Sequence, residues 1–198
     1  MDKNGLTGVV IRATSGFYYV QSGLRVLSCK LRGRMKQVRY SVCVGDRVAY
    51  FLTGEGSGTI EEVLERDSFL KRPEVANVNQ AIITFAANHP RIDFGLLDRF
   101  LVLAEISEIA PIICVNKIDM ADPTELRPFL SVYENIGYPV LQVSAKTGLG
   151  LQELQKLLYG KVSVFAGPSG VGKSSLLNLV DPGLRLTTGE LSQKIGRG

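Results

Sequence analysis

The glycine-rich segment GPSGVGKSS, residues 167–175, constrains the fold of this chain more than any other feature. It has the spacing G-x4-G-K-S, and it lies between the apolar run 161–166 and a helical pattern from Lys173 to about Val180. Glycines let successive backbone N–H groups point at an anion, and the start of a helix favours negative charge. The chain is therefore predicted to hold a phosphate-binding loop formed by Gly167, Pro168, Ser169, Gly170, Val171, Gly172, Lys173, Ser174 and Ser175.

Two residues of this loop are predicted to act in catalysis. The Lys173 ammonium would bridge β- and γ-phosphate oxygens, and the Ser174 hydroxyl would ligate Mg²⁺. Both belong to the G-K-S end of the loop, where it becomes a helix. The pattern in this context favours nucleotide binding over a turn that binds nothing.

A second motif, Asn116-Lys117-Ile118-Asp119, follows the apolar run 111–115. The Asp119 carboxylate can accept hydrogen bonds from N1–H and the 2-amino group of guanine, whereas adenine offers no such donors. Asn116 is expected to tie neighbouring loops together, and the Lys117 stem to cover the ring face. The alternative is an ordinary turn with a helix-capping aspartate.

A third motif, Ser144-Ala145-Lys146, follows the run 139–143. The motif resembles one in GTPases, in which the alanine backbone N–H contacts guanine O6 and the lysine stem covers the base. This resemblance implies the same roles for Ala145 and Lys146. Since all three motifs follow predicted strands, they are expected at one edge of a sheet. This arrangement predicts a guanine nucleotide, GTP or GDP, as the ligand.

The second part of the chain alternates apolar runs with helical patterns. Strands are predicted at 80–86, 111–115, 139–143 and 161–166, and helices at 96–106, 125–136, 150–158 and 173–180. Such alternation is typical of a parallel sheet with helices on both faces.

The first seventy residues contain five short β-rich runs separated by glycine turns. This pattern predicts an all-β barrel of the OB type, which closes with about five strands. Residues 66–78 lose the strand pattern and contain Pro73, which indicates a connection between domains. The predicted division is a barrel domain at 1–70, a linker at 71–79 and a nucleotide domain at 80–198.

Positive charge is concentrated in the first part of the chain. Residues 1–72 carry 12 Lys/Arg and 7 Asp/Glu, a net of +5, and residues 73–198 carry 11 and 12, a net of −1. Four basic residues in or near one loop are predicted to contact RNA: Arg32, Arg34, Lys36 and Arg39. The aromatic faces of Tyr18, Tyr19 and Tyr40 could stack on bases. The alternative to RNA contact is a basic surface that is simply solvated. The alternative to base stacking is that the tyrosines pack in the core or at the rim of the barrel.

Composition excludes several classes of protein. The three cysteines are scattered and form no disulfide framework or complete zinc site. No apolar run approaches the length that spans a membrane, and the N-terminus is polar. We expect a cytoplasmic protein with no membrane partner.

The base-reading motif at residue 116 precedes the phosphate loop at residue 167, the reverse of the usual order in P-loop GTPases. In this respect the chain resembles the circularly permuted ribosome-assembly GTPases of the RsgA type, also called YjeQ. The resemblance covers essentially the whole chain. Besides the three motifs above, it rests on the segments VGDRV at 44–48, LDRFL at 97–101, TGELS at 188–192 and GRG at 196–198.

The resemblance implies a GTPase that acts late in maturation of the small ribosomal subunit, is stimulated by that subunit and binds its rRNA through the barrel. It implies GTP or GDP and Mg²⁺ as ligands, and a monomer. Family members continue beyond the point that corresponds to Gly198, with switch I threonines, a DxxG box and a C-terminal zinc module. The GTPase domain is therefore expected to be incomplete at its C-terminus, with Zn²⁺ confined to that further module.

Two other functions remain open from the sequence. The loop GPSGVGKSS also resembles that of guanylate kinases, although that interpretation leaves the Asn116 and Ser144 motifs unexplained. A scaffold that binds RNA and has a vestigial nucleotide site is the other alternative.

Overall fold

We describe the fold from a computed structural model, in which residues 5–33, 41–71 and 74–181 are described. The chain forms two compact units, Met1–Val78 and Asn79–Gly198. Some predictions lie outside the described residues: the RNA contacts of Arg34, Lys36 and Arg39, the proposed stacking of Tyr40, and the motifs at 188–192 and 196–198.

The first unit is a closed five-stranded barrel. Its strands are β1 (Leu6–Thr14), β2 (Phe17–Ser22), β3 (Arg25–Leu31), β4 (Arg47–Gly54) and β5 (Ser57–Val63). They follow the order β1-β2-β3-β5-β4, and β1 pairs with β4 to close the barrel. Neighbouring strands are antiparallel except β3 and β5, which are parallel. This OB-type barrel confirms the predicted fold class of the first unit.

Alternation of side chains along the strands fills the barrel. Inward-facing residues from the strands form one apolar cluster, which includes Val10, Val20, Leu27, Val48 and Ile60. Burial of each such side chain contributes about 1.5–3 kcal/mol relative to its exposure. The outward-facing positions carry polar and basic residues together with exposed apolar ones such as Val9 and Val26.

The segment after the barrel contains a short hairpin that the sequence did not predict. Strands β6 (Phe69–Lys71) and β7 (Glu74–Ala76) pair in antiparallel register. Strands of three residues are too short to show alternation in the sequence. The expectation that residues 66–78 lack strand structure was wrong for these two pieces.

A buried ion pair joins this segment to the barrel. The Asp46 carboxylate is fully buried and accepts hydrogen bonds from Nε and Nη2 of Arg66, at 2.7 and 2.9 Å. It also accepts one from the backbone N–H of Cys43, at 2.8 Å. Asp46 belongs to the VGDRV segment, and its role in the structure is to hold the turn before β4 against the chain that leaves β5.

Over its described residues, 79–181, the second unit is a parallel sheet with four α-helices. Its strands are β8 (Gln80–Ala86), β9 (Ala110–Asn116), β10 (Val140–Gln142) and β11 (Ser163–Ala166). Its helices are α1 (Phe94–Ile106), α2 (Pro123–Ile136), α3 (Leu151–Leu158) and α4 (Lys173–Val180). The strand order is β10-β9-β8-β11, and every pair is parallel. The predicted α/β architecture is confirmed.

Helices α1 and α2 begin two residues before the predicted positions because of their caps. The Asp93 carboxylate accepts from the Leu96 backbone N–H at 3.0 Å, and the Asp122 carboxylate from that of Thr124 at 2.8 Å. These side chains satisfy backbone donors that a helix leaves unpaired at its start. The hydrophobic pattern shows only the apolar face of a helix. Because the first turn after the cap lies before that face, the predicted helix begins too late.

Helices α1 and α2 are joined through a buried tyrosine. The Tyr133 hydroxyl donates to the Asp98 carboxylate at 2.8 Å, and the ring stacks near Phe94. Burial and this carboxylate raise the pKa of Tyr133 to about 12.

In the part of the chain that the structure describes, no helix is both long and apolar enough to cross a membrane.

Candidate functional site

The candidate site lies where the strands of the second unit end. Strands β9 and β11 run directly into the Asn116 motif and the Gly167 loop, and β10 leads to Ser144. Because all four strands are parallel, their carboxyl ends lie at the same edge of the sheet. The topology thus brings together three segments that are far apart in the sequence.

The phosphate-binding loop requires glycine at two tightly packed positions. Gly167 has φ 134°, and a Cβ atom there would collide with the backbone carbonyl of Thr84 on β8. Gly172 has φ 96°, and a Cβ atom there would collide with the side-chain amide of Asn116. At both positions the backbone has a conformation that residues with a side chain disfavour, and a Cβ atom would also occupy space that neighbouring atoms already fill. The glycines therefore seat the loop against β8 and β9.

Lys173 folds back over the loop that precedes it. Its Nζ donates to the carbonyl oxygens of Gly167 and Pro168, at 2.9 and 2.6 Å. Burial lowers the pKa of Lys173 from its ordinary value. The ammonium is thus held within the curve of the loop, where a polyphosphate would provide stronger acceptors.

Asn116 bonds two of the three loops together. It is 1% exposed, its Nδ2 donates to the Val171 carbonyl at 2.9 Å, and its Oδ1 accepts from the Ala145 backbone N–H at 3.1 Å. The same side chain therefore fixes the phosphate loop and the Ser144 loop. This is the tying role that the sequence predicted for it.

Lys117 connects the phosphate loop to the end of β8. It adopts a left-handed conformation with φ 60°, and its Nζ donates to the carbonyls of Gly170 and His89, each at 2.7 Å. Burial lowers the pKa of Lys117 from its ordinary value. The aliphatic stem consequently lies between these loops, beside the cavity described next.

Asp119 and Ser144 meet at the wall of a cavity. The Ser144 hydroxyl is buried and donates to Oδ1 of Asp119 at 2.6 Å. The cavity has a volume of about 320 Å³, within the usual range of ligand pockets. It is lined by Asn116, Lys117, Asp119, Met120, Ala145, Lys146, Gly172 and Ser175.

The cavity draws on all three sequence motifs. Among the predicted site residues, Ser174 is half-buried in the first turn of α4, Val171 is buried and Ser169 is exposed. Lys146 is exposed at the rim.

In the barrel, the predicted RNA contact Arg32 forms an ion pair with Glu61.

Two participants in the site, Met120 and the His89 backbone, were not predicted from the sequence. Met120 lines the cavity, and the His89 backbone carbonyl accepts a hydrogen bond from Lys117. An apolar residue after a motif carries no chemical signal, and a backbone carbonyl carries none at all. The position of Met120, one residue beyond Asp119 in a short 3-10 helix, was the one available clue.

The family profile described as RsgA GTPase matches residues 63–198, and that described as RsgA N-terminal domain matches residues 7–60. Solved structures of similar proteins include those of YjeQ and YloQ. YjeQ from Thermotoga maritima is 42% identical with a TM-score of 0.82, and the match covers 92% of this chain and 67% of that one.

The second solved structure is YloQ, described as a circularly permuted GTPase. It is 38% identical with a TM-score of 0.77, and the match covers 92% of this chain and 66% of that one. In the present chain the Asn116 motif precedes the Gly167 loop, which agrees with that description, and the resemblance to circularly permuted GTPases is confirmed.

Curated relatives carry the name small ribosomal subunit biogenesis GTPase RsgA. The protein from Caldanaerobacter subterraneus subsp. tengcongensis is 47% identical, and the match covers 98% of this chain and 65% of the relative. That from Geobacillus kaustophilus is 50% identical, and the match covers 96% and 66%. The chain thus spans about two thirds of the length of these relatives. Its two profile matches, the OB-type barrel and the three-motif cavity agree, and the chain belongs to the RsgA family of circularly permuted GTPases.

Proposed function

We propose that this protein binds a guanine nucleotide and hydrolyses GTP during maturation of the small ribosomal subunit. The observation that carries the proposal is the cavity in which Asp119 and the start of the phosphate loop helix line one space. Family membership and the names of the relatives support the reaction and the ribosomal role. The match to GTPases also favours this function over the guanylate kinase alternative.

The base would be read by Asp119 and the loop of Ser144. The Ser144 hydroxyl holds one carboxylate oxygen, which orients the group that would accept from N1–H and the 2-amino group of guanine. The proposed partner of O6 is the Ala145 backbone N–H, which the Asn116 side chain holds in place. Adenine would leave the carboxylate without donors, which costs several kcal/mol in a site of this kind.

The phosphates would be held by the loop 167–175. The proposed role of Lys173 is to exchange the carbonyls of Gly167 and Pro168 for β- and γ-phosphate oxygens, which are stronger acceptors for an ammonium. Binding would then convert a bond internal to the loop into a bond to the ligand.

Ser174 would hold Mg²⁺ through its hydroxyl. Within residues 5–33, 41–71 and 74–181, no cluster of three His, Cys, Asp or Glu side chains could hold a metal ion. A single hydroxyl donor, that of Ser174, fits Mg²⁺, which takes one or two protein ligands and completes its shell with phosphates and water. The metal, when bound, neutralises charge that develops on the phosphate oxygens. Ser174 and Lys173 are therefore the proposed catalytic residues, acting on in-line attack by water.

The barrel would contact rRNA of the small subunit. The net charge of +5 over residues 1–72 supports a polyanion as its partner, and Arg32, Arg34, Lys36 and Arg39 remain the proposed contacts. We propose residues 1–70 as the rRNA-binding domain, 71–79 as the linker and 80–198 as the nucleotide domain. We further propose that the protein acts as a monomer in the cytoplasm, which light scattering and cell fractionation can check.

The decisive experiment measures GTP turnover with and without purified small ribosomal subunits. It should use this chain and a version extended to the length of the relatives. Stimulation by small subunits, with no response to large subunits, is the expected result. The matched control is Lys173→Ala, which should remove the activity in both versions. No stimulation of the extended protein would contradict the proposal.

One activity assay and one binding assay test the two other functions. Transfer of phosphate from ATP to GMP would support the kinase, and we expect none. Titration with fluorescent GDP tests the scaffold alternative, and absence of binding at micromolar concentration would support it.

A further inference from the structure

Two cation–aromatic pairs lie on the barrel surface. The Arg12 guanidinium carbon is 5.1 Å from the ring centroid of Tyr19, and the Lys30 ammonium nitrogen is 5.0 Å from that of Phe17. Such distances are within the range of cation–π attraction. Each cation is thus held over a ring while it remains exposed.

Strand register places both pairs on the outer face. Arg12 on β1 is opposite Tyr19 on β2. Tyr18, the next residue along, is opposite the buried Cys29 and packs against the barrel core. Since Phe17 and Tyr19 are two residues apart on β2, both point outward, about 7 Å from each other along the strand. Register therefore separates Tyr19, which faces outward, from Tyr18, which faces the core.

The two cations differ in what they can offer a ligand. A guanidinium is planar and can stack on a flat base while its edge donates hydrogen bonds. An ammonium has no plane and acts as a compact charge, which suits a phosphate oxygen. The positive charge of residues 1–72 makes this face complementary to a nucleic acid.

We propose that Arg12, backed by Tyr19, stacks on one unpaired RNA base, and that Lys30, positioned by Phe17, contacts a phosphate of the same strand. The inference rests on the proposed contact between the barrel and rRNA, and it specifies the chemical form of that RNA. An unpaired base exposes its face, whereas a base within a duplex has its faces occupied by neighbours. The platform would therefore select a single-stranded loop, bulge or end.

The test uses the full chain with saturating GDP and fluorescence anisotropy of labelled RNA. The probes are a short oligoadenylate, the same strand with abasic nucleotides, and a hairpin duplex. We expect the base-bearing strand to bind about tenfold more tightly than the abasic strand, in line with stacking on one side chain. Arg12→Lys should abolish this difference because it keeps the charge and removes the plane.

Matched variants separate stacking from charge and folding. Arg25→Lys changes an exposed arginine at the start of β3 and should leave the tenfold difference intact. Lys30→Ala should weaken both single strands equally and reduce the salt dependence of binding. Thermal unfolding of each variant should match that of the unchanged chain, because all three side chains are exposed.

Retention of the base preference by Arg12→Lys would overturn the inference, as would equal binding of the base-bearing and abasic strands. If RNA binds without base preference and small subunits still stimulate GTP turnover, the stacking platform alone fails. If no RNA binds and small subunits do not stimulate the extended protein, the proposed function fails with it.

Discussion

The Ser144 hydroxyl donates to the Asp119 carboxylate across a distance of 2.6 Å, and 25 residues separate the two along the chain. A short hydrogen bond to an ionised acceptor is roughly twice as strong as one between neutral groups. The Ser144 oxygen also accepts from the Thr147 backbone N–H at 3.1 Å, so its own position is fixed. Orientation of the Asp119 carboxylate, the group proposed to read the base, therefore depends on the neighbouring loop.

Ser144→Ala should weaken GDP binding by about tenfold, because a hydrogen bond to a charged group contributes roughly 1.5–3 kcal/mol. Fluorescence titration with labelled GDP measures the change. Ser144→Thr, which keeps the hydroxyl, is the matched control and should retain most of the affinity. Unchanged affinity in the alanine variant would mean that Asp119 is oriented by other groups.

Asp119→Asn should weaken the binding of guanine nucleotides by several kcal/mol and strengthen the binding of xanthine nucleotides. Xanthine carries a carbonyl at C2, which can accept from an amide in place of the 2-amino donor of guanine. Competition of GDP and xanthosine diphosphate against one fluorescent ligand gives both affinities. If xanthosine diphosphate gains nothing relative to GDP, Asp119 does not read the base.

Lys173→Ala should lower nucleotide affinity at least tenfold without changing the preference for guanine over xanthine, since a charge-assisted contact to phosphate is lost. The same competition assay reports both quantities. A change in base preference would show that the lysine affects the base pocket as well. Guanosine, which has no phosphates, should bind this variant and the unchanged chain equally.

Asp46→Asn should destabilise the barrel unit by about 3 kcal/mol, because removal of one partner from a buried pair leaves the other charge uncompensated. Urea unfolding followed by tyrosine fluorescence measures the loss. The double variant Asp46→Leu, Arg66→Met removes both charges and should be less destabilised than Asp46→Asn. A larger loss in the double variant would contradict the assignment of the penalty to an unpaired charge.

Tyr133→Phe should alter how stability depends on alkaline pH. Burial, with the Asp98 carboxylate, raises the pKa of Tyr133 to about 12 in the folded protein, above its ordinary value of about 10. Stability due to the protonated hydroxyl is full below pH 10 and is lost as the pH rises towards 12. Relative to the variant, the free energy of unfolding of the unchanged chain should therefore fall by about 2 kcal/mol between pH 10 and pH 12. Urea unfolding measures this difference. A constant difference across this range would contradict the raised pKa.

The sequence predicted the architecture because its signals are local. Continuous apolar runs such as 80–86 indicate strands buried on both faces, and the phosphate loop is defined by its own glycines. Convergence of the three motifs followed from one rule, that parallel strands deliver their loops to one edge. The residues lining the cavity come from these motifs, apart from Met120.

Other features depend on contacts between distant residues, which periodicity does not record. The bonds from Lys117 to Gly170 and His89 require a left-handed residue, and no rule based on residue type assigns that conformation to lysine. The pair of Asp46 and Arg66 arises only when the barrel closes. Tyr18 and Tyr19 are adjacent and chemically identical, so only strand register shows which of them faces solvent.

The bridge from Asn116 to the Val171 carbonyl has a consequence for biosynthesis. During translation the half of the pocket that is proposed to bind the base leaves the ribosome first. Strand β11, which pairs with the much earlier β8, is made after it. Until residues 163–172 have emerged, the Asn116 amide lacks its acceptor and β8 lacks β11 as its neighbour. A newborn chain consequently cannot assemble the proposed nucleotide site until residue 172 has emerged.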